Sequence, residues 1–165
     1  MPASRTNHQD FLPTSFPVKT RAGIFTLQLT KKGLYGLKFP PARVRREPGS
    51  AGKTVRLAGK MLRDYFAGVP VDFSRLKFDW TGLSPFESKV LRVLLRVPYG
   101  VRISYGELAR RAGNPGAARA VGHVMRRNRL PIFLPCHRVI QSSGKLGGYG
   151  PGLKWKRFLL TLESK

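Results

Sequence analysis

The stretch Ser104-Tyr105-Gly106-Glu107-Leu108-Ala109-Arg110-Arg111-Ala112-Gly113-Asn114-Pro115-Gly116-Ala117-Ala118-Arg119-Ala120-Val121-Gly122-His123-Val124-Met125-Arg126-Arg127 decides the fold. Ser104 followed three residues later by Glu107 is a helix-start pattern, and it predicts a short helix to about Ala112. Gly113-Asn114-Pro115-Gly116 is a tight turn. A second helix is expected from about Ala117 to Arg127. Two helices joined by such a turn suggest a helix-turn-helix. The second helix carries a small face of Ala117, Ala118, Ala120 and Gly122, with Arg119, Arg126, Arg127 and, just beyond, Arg129 beside it. Small residues let a backbone approach a surface closely, and arginines suit phosphates. The plainer alternative is that the alanines pack on a neighbouring helix and the arginines form a solvated face.

The rest of the chain weighs on that choice. Its 165 residues carry 31 Lys and Arg against 8 Asp and Glu, a net charge of +23, while 41% are hydrophobic. A core can therefore form beneath a very basic surface, which favours polyanionic partners. The charge is spread along the chain: net +10 in residues 1–80 and net +13 in residues 81–165. A single cysteine excludes an internal disulfide framework and any cysteine-cluster zinc site. No apolar run reaches the length of about 18 residues needed to span a membrane, and Met1 to Phe16 lacks a signal-peptide core. The expectation is a soluble, cytoplasmic protein that meets nucleic acid.

Upstream of the helix-turn-helix, Phe16 to Thr20, Ile24 to Thr30 and Leu34 to Phe39 are short β-prone runs separated by turn signals. Pro40 to Gly52, with Arg43, Arg45 and Arg46, reads as a surface loop. Val55, Ala58, Met61, Leu62, Tyr65 and Phe66 fall at helical spacing. Val71 to Gly82 reads as an extended linker. Ser84-Pro85-Phe86-Glu87 combines a capping serine, a proline at the first helical position and a glutamate three residues after the cap. Val90, Leu91, Leu94 and Leu95 give that helix its apolar stripe. A last helix is expected from Leu153 to Leu162.

The densest chemistry lies in Leu130-Pro131-Ile132-Phe133-Leu134-Pro135-Cys136-His137-Arg138-Val139-Ile140. The run before Pro135 is apolar and β-prone. A free thiol is mostly protonated at neutral pH, and a neighbouring imidazole or positive charge raises the thiolate fraction; His137 and Arg138 are candidate sources. In extended chain, adjacent side chains point opposite ways, so contact between Cys136 and His137 needs a bend or a bridging water. A buried structural cysteine remains the other reading. The loop that follows holds Gly144, Gly147, Gly148, Gly150 and Gly152 around Tyr149, as a pocket wall or as a plain surface loop.

Pro-Cys-His-Arg-Val at 135–139, preceded by Gly-Asn-Pro-x-Ala-Ala-Arg-Ala-Val-Gly at 113–122, resembles the O6-alkylguanine-DNA alkyltransferases, or methylated-DNA–protein-cysteine methyltransferases. The match covers about Ser84 to Glu163. The resemblance implies an α+β chain with two domains. Residues 1–80 would be a small antiparallel sheet with a helix, ribonuclease-H-like in outline. Residues 81–165 would be a mostly helical, winged-helix-like domain holding the DNA-binding helix-turn-helix and the active site. The implied reaction is direct-reversal DNA repair: the alkyl group on guanine O6 moves irreversibly to the cysteine, once per protein molecule. The base is swung out of the stack first.

By the same resemblance, Cys136 is the alkyl acceptor, His137 its base through a water, and Glu163 the orienting acid. Asn128 stands at the hinge before the active segment, and Tyr105 donates to the departing guanine. Arg119 enters the duplex as a finger, with Ala118, Ala120, Gly122 and Arg126 of the same helix against DNA in the minor groove. Met125, Pro131, Val139, Tyr149 and Gly150 shape the pocket; backbone carbonyls of Cys136 and Val139 accept from the guanine amino group. Lys156 supports the loop. The implied partner is double-stranded DNA containing alkylated guanine, met by a monomer without cofactor. Some relatives bind zinc through N-terminal cysteines; no cysteine precedes Cys136, so no metal is expected. Gly150 stands where relatives often have serine, which implies a roomier pocket. Two other functions compete with this one. A non-catalytic binder of alkylated DNA would lack the cysteine. A thiol hydrolase would have no carbonyl to attack in an alkyl thioether and no use for the charge.

Overall fold

The computed structural model describes residues 12–41 and 52–164. Most of the loop expected over Pro40 to Gly52, including its three arginines, lies outside the described residues. Strands β1 (Thr14–Thr20), β2 (Gly23–Thr30) and β3 (Gly33–Lys38) form an antiparallel sheet in chain order. The first hairpin closes at Thr20 opposite Gly23. There Thr20 Oγ1 donates to the Gly23 carbonyl at 2.9 Å and accepts from the Ala22 N–H at 3.1 Å.

Helix α1 (Lys53–Phe66) lies against the sheet. Val55, Ala58, Met61, Leu62, Tyr65 and Phe66 are buried, and the opposite face exposes Lys53, Arg56, Lys60 and Arg63. This is the amphipathic division that the spacing predicts. Helices α2 (Pro85–Leu95), α3 (Tyr105–Arg111) and α4 (Ala118–Arg126) pack on one another, and α5 (Leu153–Leu162) closes the molecule. At the start of α2 the capping box is complete: Glu87 N–H donates to Ser84 Oγ at 3.2 Å, and Ser84 N–H donates to the Glu87 carboxylate at 2.9 Å. At α3 only half of it forms. Ser104 Oγ accepts from Glu107 N–H, while the Glu107 carboxylate turns to Arg110 and Arg111. The α+β class expected from the sequence is the class observed, a three-stranded sheet with a helix followed by a mostly helical unit.

Three expectations are corrected. Val71 to Gly82 is no plain linker: it contains a 3-10 turn at Phe73–Arg75, and Phe73, Leu76, Phe78 and Asp79 are buried. Leu34 N–H donates to the Lys77 carbonyl and Asp79 N–H to the Leu34 carbonyl, so the segment adds a bridge to β3. The run before Pro135 is not a strand. It is a buried turn in which Ile132 takes φ 76°; Pro131 and Pro135, which lack N–H donors, could not have served a sheet ladder there. Arg129 does not stand free for phosphate. It donates to the Asp79 and Thr81 carbonyls at 2.6 and 3.0 Å and lies 4.1 Å over the Tyr35 ring.

Contacts between the two halves are apolar as well. Phe25, Phe39 and Phe66 meet Trp155 and Phe158 of α5. Phe73 meets Phe133 edge-on at 5.0 Å. A two-residue parallel pair unforeseen in the sequence joins β4 (Ile103–Ser104) to β5 (Val139–Ile140). Because β4 runs straight into α3 and β5 follows directly on Cys136–Arg138, this pair brings the start of α3 beside the cysteine. Among the described residues no helix is long and apolar enough to cross a membrane.

Candidate active site

Cys136, His137 and Arg138 form one turn of 3-10 helix, and all three are buried. With about three residues per turn, successive side chains diverge by roughly 120°. The bend that extended chain would have required is therefore built in, and each side chain takes its own direction. Cys136 lines a cavity of about 860 Å³, within the range of sites that take small ligands. His137 and Arg138 instead reach Glu163 at the end of α5.

The cavity is walled by Tyr105 from α3, by Ala118, Arg119, Gly122, Met125 and Arg126 from α4, and by Gly147, Gly148, Tyr149 and Gly150 from the loop. Gln141, Ser142 and Ser143 add a polar rim that the sequence reading did not single out as site residues. Gly147 is required where it sits. Its φ is +69°, and a Cβ there would fall 2.8 Å from the Tyr105 hydroxyl oxygen, so only glycine lets the loop close on that ring. At Gly150 a Cβ would meet the Arg126 carbonyl oxygen at 3.9 Å, an ordinary contact, so the space a larger residue would fill is open. Ala120 is exposed on α4 but does not line the cavity, and Pro131 is buried away from its wall.

Asn128 holds the sulfur from the hinge side. Its Nδ2 donates to Cys136 Sγ at 3.0 Å and to the Leu134 carbonyl at 2.9 Å, and its Oδ1 accepts from Leu130 N–H at 3.0 Å. Burial pushes the Cys136 thiol up to about 11, against the opposing pull of the Asn128 amide and the Lys156 charge. The cation that bears on the thiol is thus Lys156, not Arg138. Lys156 is fully buried; its Nζ donates to the carbonyls of Val139 at 2.7 Å, Gly148 at 3.2 Å and Leu146. Burial draws its pKa down to about 8, so the ammonium persists at neutral pH with three acceptors for three donors. It ties the loop to β5 from beneath the cavity, and Val139 lies under the wall rather than in it.

Glu163 accepts five hydrogen bonds from four residues. It accepts from His137 Nε2 at 2.7 Å, from Arg138 Nε and Nη2 at 2.9 Å each, and from Gly100 N–H at 3.1 Å. It also accepts from the Tyr65 hydroxyl at 2.7 Å. Its carboxyl is held far below the usual range; burial opposes this, and the His137 and Arg138 hydrogen bonds and charges outweigh it. Gly100, at φ +76°, lets the backbone come this close: a Cβ there would lie 2.9 Å from the Glu163 carbonyl oxygen. Burial lowers the His137 pKa, against the pull of Glu163, so the imidazole is neutral at pH 7. With Nε2 bonded to a carboxylate, its proton resides there and Nδ1 keeps the lone pair. Nδ1 is buried and has no protein partner among the described residues.

Tyr105 and Tyr149 are both raised above the ordinary phenol value, chiefly by burial, and remain donors at neutral pH. The Tyr149 ring stands 6.4 Å from the His137 ring. Arg119 and Arg126 are exposed at the cavity, whereas Arg127 lies 3.6 Å from the Glu87 carboxylate. Sequence reasoning missed Tyr65. In sequence it reads as one of six apolar positions of α1, and the one signal that sets it apart is a polar tip on an otherwise apolar face.

Comparison with known proteins bears on the whole arrangement. A family model described as the DNA-binding domain of 6-O-methylguanine DNA methyltransferase matches residues 85–165. The methylated-DNA–protein-cysteine methyltransferase of Mycobacterium tuberculosis is 42% identical over 137 residues, 82% of this chain and 79% of that protein. The enzyme of the same name from Methanosarcina acetivorans is 42% identical over 132 residues, 80% of each. A crystal structure of the M. tuberculosis protein in complex with DNA superposes with a TM-score of 0.77 at 39% identity, covering 90% of this chain and 91% of that one.

Proposed function

The chain belongs to the methylated-DNA–protein-cysteine methyltransferase family, and from that premise we propose how its residues divide the work. It binds DNA and repairs O6-methylguanine by transferring the methyl group to a cysteine of its own. Cys136, the one cysteine in the chain, is the acceptor. Residues 81–165 carry both the DNA contact and the chemistry.

The observation that carries the assignment is the placement of this one sulfur. It sits in the wall of a cavity with room for a purine, with the neutral His137 and the ionised Glu163 behind it and Arg119 and Arg126 of α4 lining the same cavity. A thiol pushed to about 11 needs a base to become nucleophilic. His137 Nδ1 takes its proton through a water. The sulfur lone pair then forms the S–C bond while the C–O6 bond breaks, and its electron pair stays on the purine. Tyr105 donates to that developing anion, an electrostatic contribution realised most fully in the transition state. Reprotonation of the purine restores guanine. The thioether has no route back, so each molecule acts once.

To present O6 to the sulfur of a cysteine that is 5% exposed, the nucleotide must leave the duplex. Arg119 stands at the rim to fill its place, and Ala118 and Gly122 let α4 lie close to the groove. The partner is double-stranded DNA containing alkylated guanine, engaged by a monomer. The test is intact-protein mass spectrometry after incubation with duplex DNA carrying O6-methylguanine. One added methyl on Cys136 per protein is expected, and Cys136→Ala should take none yet still bind DNA. Multiple turnover, or methyl on another residue, would end the proposal.

A further inference from the structure

We propose that Tyr65, on α1 of the N-terminal half, is a positioning residue of the transfer reaction: its hydroxyl seats the Glu163 carboxylate against His137 and tunes the basicity of the pair. This rests on the assignment of His137 as the base of Cys136. The Tyr65 side chain is fully buried, and its hydroxyl lies 2.7 Å from Glu163 Oε1 and 3.3 Å from His137 Nε2. Tyr65 therefore touches both members of the pair while lying outside the cavity wall.

Only one proton arrangement satisfies these atoms. Glu163 is ionised, held so by Arg138, and an ionised carboxylate only accepts. The Tyr65 hydroxyl, raised far above the ordinary phenol value by burial and by Glu163, keeps its proton and donates it to Oε1. His137 Nε2, 2.7 Å from the same oxygen, must donate as well. If Nε2 were bare, its lone pair would face a carboxylate. Nδ1 is thereby the basic nitrogen, and the opposite ring nitrogen is met by Glu163 at 2.7 Å and by the phenol at 3.3 Å.

The hydroxyl also tunes the pair. Oε1 accepts from Tyr65, His137 and Arg138, and each donor withdraws charge from it. A carboxylate so saturated pulls less on the imidazolium that forms when His137 takes the thiol proton. Without the phenol donor, Glu163 would hold that proton more tightly, and the His137 pKa would rise. The packing role of the ring is separable. It meets Phe66, Phe73 and Tyr99 at centroid distances of 5.4, 5.8 and 5.9 Å, and phenylalanine would keep those contacts.

Tyr65→Phe is the test, read by the rate of reaction with free O6-benzylguanine across pH, with duplex binding and thermal stability measured alongside. The acid limb of the profile should move to higher pH by about half a unit, with DNA affinity unchanged. A lowered melting temperature on an unmoved acid limb would mean that Tyr65 only packs, and would overturn the proposal whatever the plateau rate. Should the variant not fold, nitrogen-15 NMR of the unmodified protein decides. A protonated Nε2 and bare Nδ1 on His137 are expected, and the opposite tautomer overturns the proposal. Methyl transfer to Cys136 in the unmodified protein is scored separately, so loss of the Tyr65 role and loss of the functional reading give different results.

Discussion

Arg119 is exposed, lines the cavity, and has no carboxylate partner among the described residues. A guanidinium left free at the opening of a base-sized pocket can act on the duplex without acting on the chemistry. Arg119→Ala should therefore slow repair of O6-methylguanine in duplex DNA by more than about tenfold, the scale of a lost interaction with a charged group, and leave reaction with free O6-benzylguanine nearly unchanged. Equal losses on the two substrates would remove the finger role. At this scale much of the proposed site is legible in the sequence. Cys136, His137, Glu163 and Arg119 carry recognisable chemistry in a motif with fixed order. Tyr65 was not legible, because nothing in a helical apolar stripe announces that one hydroxyl will reach residues 72 and 98 positions away. Nor was the division between the two cations near the thiol: Arg138 is its sequence neighbour, but the 3-10 turn sends the guanidinium to Glu163 and leaves Lys156 beneath the pocket.

Among the elements, α2 shows how caps written in sequence become structure. Ser84 and Glu87 exchange hydrogen bonds, and Pro85 fills a position whose N–H would otherwise lack a partner. Ser84→Ala should destabilise the protein by about 1 kcal/mol, measured by urea unfolding, with methyl transfer retained at saturating DNA. An unchanged midpoint would mean that packing against α3 and α4 alone holds the helix end. Helices of ten or more residues were read correctly because their periodicity repeats several times; α5 matches its expected bounds at Leu153 and Leu162. The β4–β5 pair could not be found that way. Two residues per strand hold no period, and a parallel partner 36 positions distant leaves no local mark. The turn at 130–134 misled for the opposite reason: Ile132 and Phe133 are β-prone, yet the flanking prolines and the path into Cys136 override that propensity.

For the molecule as a whole, the buried acid–base pair links function to stability. Glu163 has its pKa lowered from 4.5 by its partners, and His137 has its pKa lowered from 6.5 by burial. In both cases the unfolded chain binds a proton that the folded chain resists. The pair's contribution to stability should thus be full above pH 6.5, decline first as His137 must charge, and decline further below pH 4.5 as Glu163 must neutralise. Urea midpoints taken from pH 8 to pH 4 should fall monotonically, beginning near 6.5. A flat curve down to pH 5 would mean that His137 is not buried as a neutral ring.

Immediately after α4, the chain is pinned. Leu37 N–H donates to the Arg129 carbonyl at 2.9 Å, and the Arg129 guanidinium is bonded to the 79–81 segment. A helix anchored in this way behaves as an anvil. Under the proposed docking of that helix in a groove, the double helix would be the body that yields. The work of prying a nucleotide loose then depends on how firmly the nucleotide is paired. A guanine whose O6 carries a methyl group is already ill-matched to cytosine, so it opens at lower expense than its neighbours. Selection of the damaged base thus begins in the mechanics of the duplex, before any atom of the lesion has met the sulfur.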